Sequence, residues 1–193
     1  MLPPLTYADS PLPAYADEIN ENGAVLEAYL SAVLPAVTEA GDDNNYGSSV
    51  LNDVACLQAL SKRIHFGKWV AEAKFRETPQ LFRPAIAAGD AAAVLAALTH
   101  PDQETSVAAR VARKAAVFAA SMADLPGGRA DPTALCVVTP AAVAALWREC
   151  VMPLTKVVQV KYLLRRGEAV ETGQPGRFAA GQARGTGPPG GFI

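Results

Sequence analysis

The feature that most constrains this chain is the stretch from Ser48 to Phe75. It holds no proline, and its apolar residues Val54, Leu57, Leu60, Ile64 and Val70 fall on one stripe at helical spacing. The turn-rich segment Gly41-Asp-Asp-Asn-Asn-Tyr-Gly47 precedes it, Ser48 or Ser49 offers an N-cap, and Thr78-Pro79 ends it. Such a stripe buries itself only against other helices or a sheet, and no segment of the chain alternates apolar and polar residues with the period of two that strands need. The expected fold class is therefore all-α, a helical bundle.

The remaining segments fit that reading. Residues 1 to 19 hold four prolines and little periodicity, so an extended lead-in is expected. Val25, Leu26, Tyr29, Leu30, Val33, Leu34 and Val37 mark a helix from Asn22 to Ala40, kinked or shortened by Pro35. Residues 80 to 98 are alanine-rich and helical with a Gly89-Asp90 turn. Thr99 or His100 caps a helix with Pro101 at its first position, running to about Met122. A loop spans Leu125 to Val138, Thr139-Pro140 starts the last helix, and that helix runs to Arg166 with a kink or break near Pro153. Two parts follow: a helical domain over 1–166 and a Gly/Pro-rich tail over 167–193 whose composition cannot bury enough apolar surface to order itself.

Charge and cysteine usage narrow the function classes. The net charge is −2 over 193 residues, with no clustered basic excess, so no nucleic-acid partner is expected. Any anion must be met by a few placed cations. No apolar run reaches the length of a membrane span. Cys56, Cys136 and Cys150 are scattered and form no C-x-x-C, which suits small apolar residues in a reducing compartment. His65 has no second ligand at i+3 or i+4, so no metal site is expected, and no nucleophile–base pair stands out.

Cations and polar groups do share faces. Arg63 and Lys74 are 11 residues apart, which brings them within about 20° of one direction and about 16 Å apart along an axis. Gly67 and Val70 lie between them, and Lys62 and Lys68 point elsewhere. Thr155 and Lys156 stand four and three residues before Gln159, on one face. Glu104 falls in the first turn after Pro101, where the helix dipole favours a carboxylate. Taken singly, each has a plain structural explanation: a solvated face for the cations, capping for Glu104, hydrogen bonding at the core edge for His65.

Longer strings carry more. Asn45-Tyr-Gly-Ser48, the run from Asp53 through Ser61-Lys-Arg-Ile-His-Phe-Gly-Lys-Trp69 to Phe75, Met152-Pro-Leu-Thr-Lys156 and Tyr162-Leu-Leu-Arg-Arg166 closely resemble the all-helical chorismate mutases of fungi and plants. Leu2-Pro-Pro-Leu5 and Ala14 to Asn20 match as well, so the resemblance covers about Leu2 to Arg166. It implies an isomerase that rearranges chorismate to prephenate in phenylalanine and tyrosine synthesis, as a homodimer, with no cofactor and with an aromatic amino acid as effector. It implies Arg63 on a substrate carboxylate, Lys74 on the ether oxygen and a neighbouring carboxylate, and Glu104 accepting from the ring hydroxyl, with the register fixed by Arg110 and Lys114-Ala115. Thr155 and Lys156 match the pocket's Thr-Lys pair. Asn45, Gly47 and Ser48 match part of the effector site. The cytoplasm and the plastid stroma both remain open.

Two departures stand out. Gln159 occupies a position where the eukaryotic branch usually has glutamate; an amide donates to the ether oxygen at any pH, whereas a carboxyl group must be protonated first. No acid-favoured optimum is expected from this position. His100 replaces a family asparagine in the substrate-binding set. The family's first helix, with a further carboxylate-binding arginine, finds no match here. The resemblance therefore implies impaired turnover for the chain as given, from a fragment or truncated gene model. A non-catalytic regulatory or interaction protein that keeps the fold is the alternative.

Overall fold

Alanine, leucine and long straight-chain residues dominate between the proline and glycine breaks, and such sequence forms helix readily. The computed structural model describes residues 12–38, 40–42, 44–123 and 138–171, and every regular element among them is helical. The expected loop at 125–137, Cys136, Leu2 to Leu5 and residues 172–193 lie outside the described residues.

The lead-in is less extended than its prolines suggest. A 3₁₀ turn, Ala14–Glu18, carries buried Tyr15 and Ala16. The Lys68 ammonium ties it down by donating to the carbonyls of Ala16 (2.7 Å) and Ile19 (3.1 Å). The next helix arrives in three pieces: α1 (Asn22–Ala28), a π turn (Tyr29–Val33) and α2 (Leu34–Val37), ending before the expected Ala40. Pro35 has no N–H for the carbonyl four residues back. The widened turn just before it, in which the Leu34 N–H reaches the Tyr29 carbonyl, is how the helix passes the proline.

The long helix begins at Tyr46 rather than Ser48 or Ser49, with Asn45 at the cap and both serines inside the first turn. It divides into α3 (Tyr46–His65) and α4 (Gly67–Glu77). Phe66 between them keeps helical angles, and its carbonyl accepts from both Trp69 (3.1 Å) and Val70 (3.3 Å), so the path tightens locally and runs on. Thr78 separates α4 from α5 (Pro79–Ala87), with Pro79 at the first position as expected. Asp90 caps α6 (Ala91–Leu98) through bonds of 3.0 Å from the Ala92 and Ala93 N–H groups. α7 spans Pro101–Ala123, and Thr139 caps α8 (Pro140–Leu146) by accepting from the Ala142 N–H at 3.1 Å. A second π turn, Trp147–Val151, leads into α9 (Met152–Glu171) just ahead of Pro153.

α9 is the axis of the core. It packs along α4 and against α3, α5 and α6, while α8 lies on α7. Its Val158, Tyr162 and Leu163 lose all exposure, alongside Ala71 and Val94, and Phe82 is buried with them. Buried Glu72 accepts from the Tyr162 hydroxyl (2.7 Å), Arg76 (2.7 Å) and Arg166 (3.1 Å), which satisfies its charge inside the seam. The helix does not stop at Arg166. Buried Ala169 extends the core contact, and Gly167 lies so close to α5 that a Cβ there would meet Ile86 Cγ2 at 2.4 Å. Gly167 is a close-packing position inside a helix, so the boundary expected after Arg166 falls within α9.

Candidate functional site

Six elements converge on one cleft of about 140 Å³. Arg63 comes from the last turn of α3 and Lys74 from the last turn of α4. His100, Gln103, Glu104 and Val107 come from the start of α7, Leu98 from the end of α6, Trp147 from the second π turn, and Met152, Thr155, Lys156 and Gln159 from α9. The two cations expected on one face, the three residues Thr155, Lys156 and Gln159 of the last helix and the first-turn glutamate therefore meet in one place.

Gly67 makes the convergence close. A Cβ there would sit 2.9 Å from the Thr155 carbonyl, 3.2 Å from Thr155 Cγ2 and 3.3 Å from Gln159 Cγ. Only a residue with no side chain lets α4 lie this near α9, and that proximity brings Lys74 and Gln159 to the same cavity.

The charges are arranged unevenly. Lys156 pairs with Glu104 at 2.6 Å. Lys74 donates to the Leu98 carbonyl at 2.8 Å. Burial lowers its pKa; the Glu104 and Glu77 charges oppose that fall, and Lys156 adds to it. Arg63 has no carboxylate within 4.0 Å among the described residues, and its guanidinium lies over the Trp147 ring, 4.8 Å from the centroid. Partial burial lowers its pKa too, although a guanidinium stays protonated. Three cations stand against one carboxylate, so the cleft carries a surplus of two positive charges inside a chain of net charge −2.

The neutral groups add direction. The Thr155 hydroxyl donates to the Val151 carbonyl at 2.6 Å, which leaves its lone pairs to accept. Gln159 is buried, lines the cleft, and makes no side-chain hydrogen bond among the described residues, so its amide can both donate and accept. His100 lines the exposed rim. His65 lies elsewhere: its Nε2 accepts from the Glu21 N–H (2.8 Å) and its Nδ1 faces the Ser61 carbonyl (2.8 Å), a hydrogen-bonded core-edge role. Asn45, Gly47 and Ser48 sit exposed at the start of α3 and line no part of this cleft.

Sequence reasoning missed Trp147. An unbroken α-helix would carry the face of Gln159, Lys156 and Met152 back to Arg148. In the π turn the Met152 N–H reaches the Trp147 carbonyl instead, five residues back, so Trp147 takes the place above Met152. Exposed Arg148 turns to a neighbouring groove with Pro101, Thr105 and Pro153. The proline at 153 is the one sequence signal that a widened turn precedes it. The apolar walls Leu98, Val107 and Met152 carried no signal apart from helix periodicity.

Comparison with known proteins places these residues in a family. The model for chorismate mutase type II matches residues 49–160. Chorismate mutase 1, chloroplastic, of Petunia hybrida is 42% identical over 167 residues, covering 86% of this chain and 51% of its own length. Similar proteins include both chloroplastic and cytosolic forms. The structure of Aro7p chorismate mutase from Candida albicans in complex with L-Trp aligns with a TM-score of 0.73 at 34% identity, over 90% of this chain and 64% of that one. AtCM1 with tyrosine bound in an allosteric site aligns with a TM-score of 0.72 at 40% identity, over 86% and 63%. The chain spans about half the length of the curated relatives it matches.

Proposed function

The chain belongs to the chorismate mutase type II family, and on that premise we propose that its cleft binds chorismate and carries its rearrangement to prephenate. The observation that carries this reading is the surplus of two positive charges in a cleft whose polar groups need no nucleophile. Chorismate is a dianion, and the reaction breaks one C–O ether bond as one C–C bond forms, with all atoms retained. Such a step gains from holding the flexible dianion in its reactive geometry and from stabilising charge on the departing oxygen.

The roles follow from the donors available. Arg63 grips one carboxylate by its fork. Lys74 donates to the ether oxygen and a neighbouring carboxylate, and the Gln159 amide donates to the same oxygen. Glu104, held by Lys156, accepts from the ring hydroxyl. Thr155, with its proton already given to Val151, accepts, and His100 closes the rim. No cofactor enters this scheme.

Several features of the relatives extend the proposal. Asn45, Gly47 and Ser48 are the part of an aromatic amino-acid effector site carried by this chain, a reading supported by the tyrosine and tryptophan complexes of its neighbours. The whole protein acts as a homodimer, in the cytoplasm or a plastid stroma. Among the described residues no helix is long and apolar enough to cross a membrane.

Loss of chorismate absorbance is the direct test, with the 193-residue chain. Arg63→Ala and Lys74→Ala are expected to lower kcat/KM by about 100-fold or more, from the loss of a charged contact to a desolvated group. Gln159→Glu should create an acid-favoured profile that the unsubstituted chain lacks, because only the protonated carboxyl donates. A chain that neither turns over chorismate nor binds prephenate would overturn the reading, as would full activity in both alanine variants.

A further inference from the structure

We propose that Trp147, delivered by the π turn ahead of α9, is the positioning residue for Arg63 and so sets how the cleft grips an anionic group. This deepens the dianion reading above and rests on it. Nothing in the helix pattern requires an indole here; the widened turn puts one where an α-helix would have presented Arg148.

The geometry supports a seat rather than a wall. The Arg63 guanidinium lies 4.8 Å from the Trp147 ring centroid. No carboxylate holds it within 4.0 Å among the described residues, so the ring is the contact available to orient it. The indole face attracts a cation more strongly than the faces of the other aromatic side chains. A carboxylate partner would do the opposite of what an anion site needs, because it would neutralise the charge that must meet the ligand. An aromatic face holds the guanidinium in place and leaves both its charge and its N–H donors to the ligand.

Trp147 is itself held by packing. It lies against the core cluster, and its buried Nε1 finds no hydrogen-bond partner among the described residues. Phenylalanine or leucine could fill a wall without burying an unpaired N–H, so wall-filling alone does not explain the side chain. The ring face beneath Arg63 does.

The test uses the full chain with Trp69→Phe, which leaves Trp147 as the one indole, since the sequence holds two tryptophans. Trp69 stacks on Phe66 at the surface, away from the cleft. Arg63→Met in this background is expected to shift the ligand-free emission of Trp147. In calorimetric titration with prephenate, Trp147→Leu should weaken binding about tenfold and Trp147→Phe about threefold, in line with cation–π strengths. The double variant Arg63→Met/Trp147→Leu should bind no more weakly than Arg63→Met alone. In turnover the loss should appear in KM with kcat nearly unchanged.

The outcomes separate cleanly. Full additivity of the two substitutions, or tight binding by Trp147→Leu while Arg63→Met is weak, overturns the positioning role and leaves the dianion reading intact. Normal prephenate binding by Arg63→Met overturns the dianion reading and this proposal with it. Should Trp147→Leu fail to fold by circular dichroism, Trp147→Phe and the emission comparison decide: an unmoved emission on Arg63→Met overturns the contact.

Discussion

The seam between α4 and α9 and the N-terminal half of α3 were written in the same helical pattern, yet they fare very differently. At the seam Ala71, Val158, Tyr162 and Leu163 lose all exposure. On α3, Val50, Leu51 and Val54 keep 60%, 70% and 47% of theirs, and Leu26 and Leu30 nearby keep 46% and 56%. A polar tie across that half is the Tyr29 hydroxyl donating to Asp53 at 2.5 Å. Periodicity specifies that a helix has a face to bury; it does not specify what buries it. The cleft is built on the half whose faces have met their partners, which gives its charged side chains rigid mounts.

The contrast is tested hardest at Glu72. A carboxylate buried in the seam owes its charge to three donors, and removing it would leave Arg166 and the Tyr162 hydroxyl facing each other without an acceptor. Glu72→Ala is expected to cost about 3–5 kcal/mol in urea unfolding. Burial alone would raise the pKa of Glu72, but the Tyr162 and Arg76 hydrogen bonds and the Arg166 charge outweigh it and hold the value below the ordinary 4.5. A depressed folded value means a contribution fully present above 4.5 and lost as pH falls through the folded value. As pH falls from 4.5 to the folded value, stability should therefore drop more steeply in the unsubstituted chain than in Glu72→Gln. Parallel curves would show that the seam does not depend on this charge.

How far the sequence could be read follows the same division. The helices, their proline starts at Pro79, Pro101 and Pro140, and the shared direction of Arg63 and Lys74 were legible because they depend on local chemistry and on an uninterrupted period. Thr155, Lys156, Glu104 and Gln159 were assigned by resemblance, and their faces were legible within single helices. What stayed hidden required a neighbour. Trp147 enters the cleft through a π turn that breaks the period. Gly167 looked like the start of a tail because its packing against Ile86 lies far away in the chain. Val54 read as core like Ile64, and only the tertiary arrangement separates 47% exposure from 1%.

Glycines sharpen the comparison at a smaller scale. Both Gly47 and Gly67 lie in helices, where alanine is the better intrinsic former by about 0.5–1 kcal/mol. At Gly47 a Cβ would meet nothing within 4 Å, so Gly47→Ala should stabilise the chain by about 0.5 kcal/mol. At Gly67 the new Cβ would press on the Thr155 carbonyl and the Gln159 side chain, so Gly67→Ala should destabilise by about 1–3 kcal/mol. Turnover should drop with it, because the displaced atoms belong to two cleft residues. One substitution, made in two helices, is expected to change sign. Equal effects would mean that α9 yields freely and that the seam is looser than its burial implies.

The smallest expected effect is also the one that can break the contrast outright. Leu51 is 70% exposed, and a charged residue there replaces surface already in water. Leu51→Glu should change the unfolding free energy by no more than about 0.5 kcal/mol, the ordinary range for substitutions on an open surface. The sign and size do not depend on the cleft, since the start of α3 lines no part of it. A measured loss of about 2 kcal/mol or more is what burial of a whole leucine side chain would produce. That result, particularly if it grew with protein concentration, would show that this face is covered in solution. The two halves would then differ in what covers them, with the exposed residues of α3 buried as firmly as the seam.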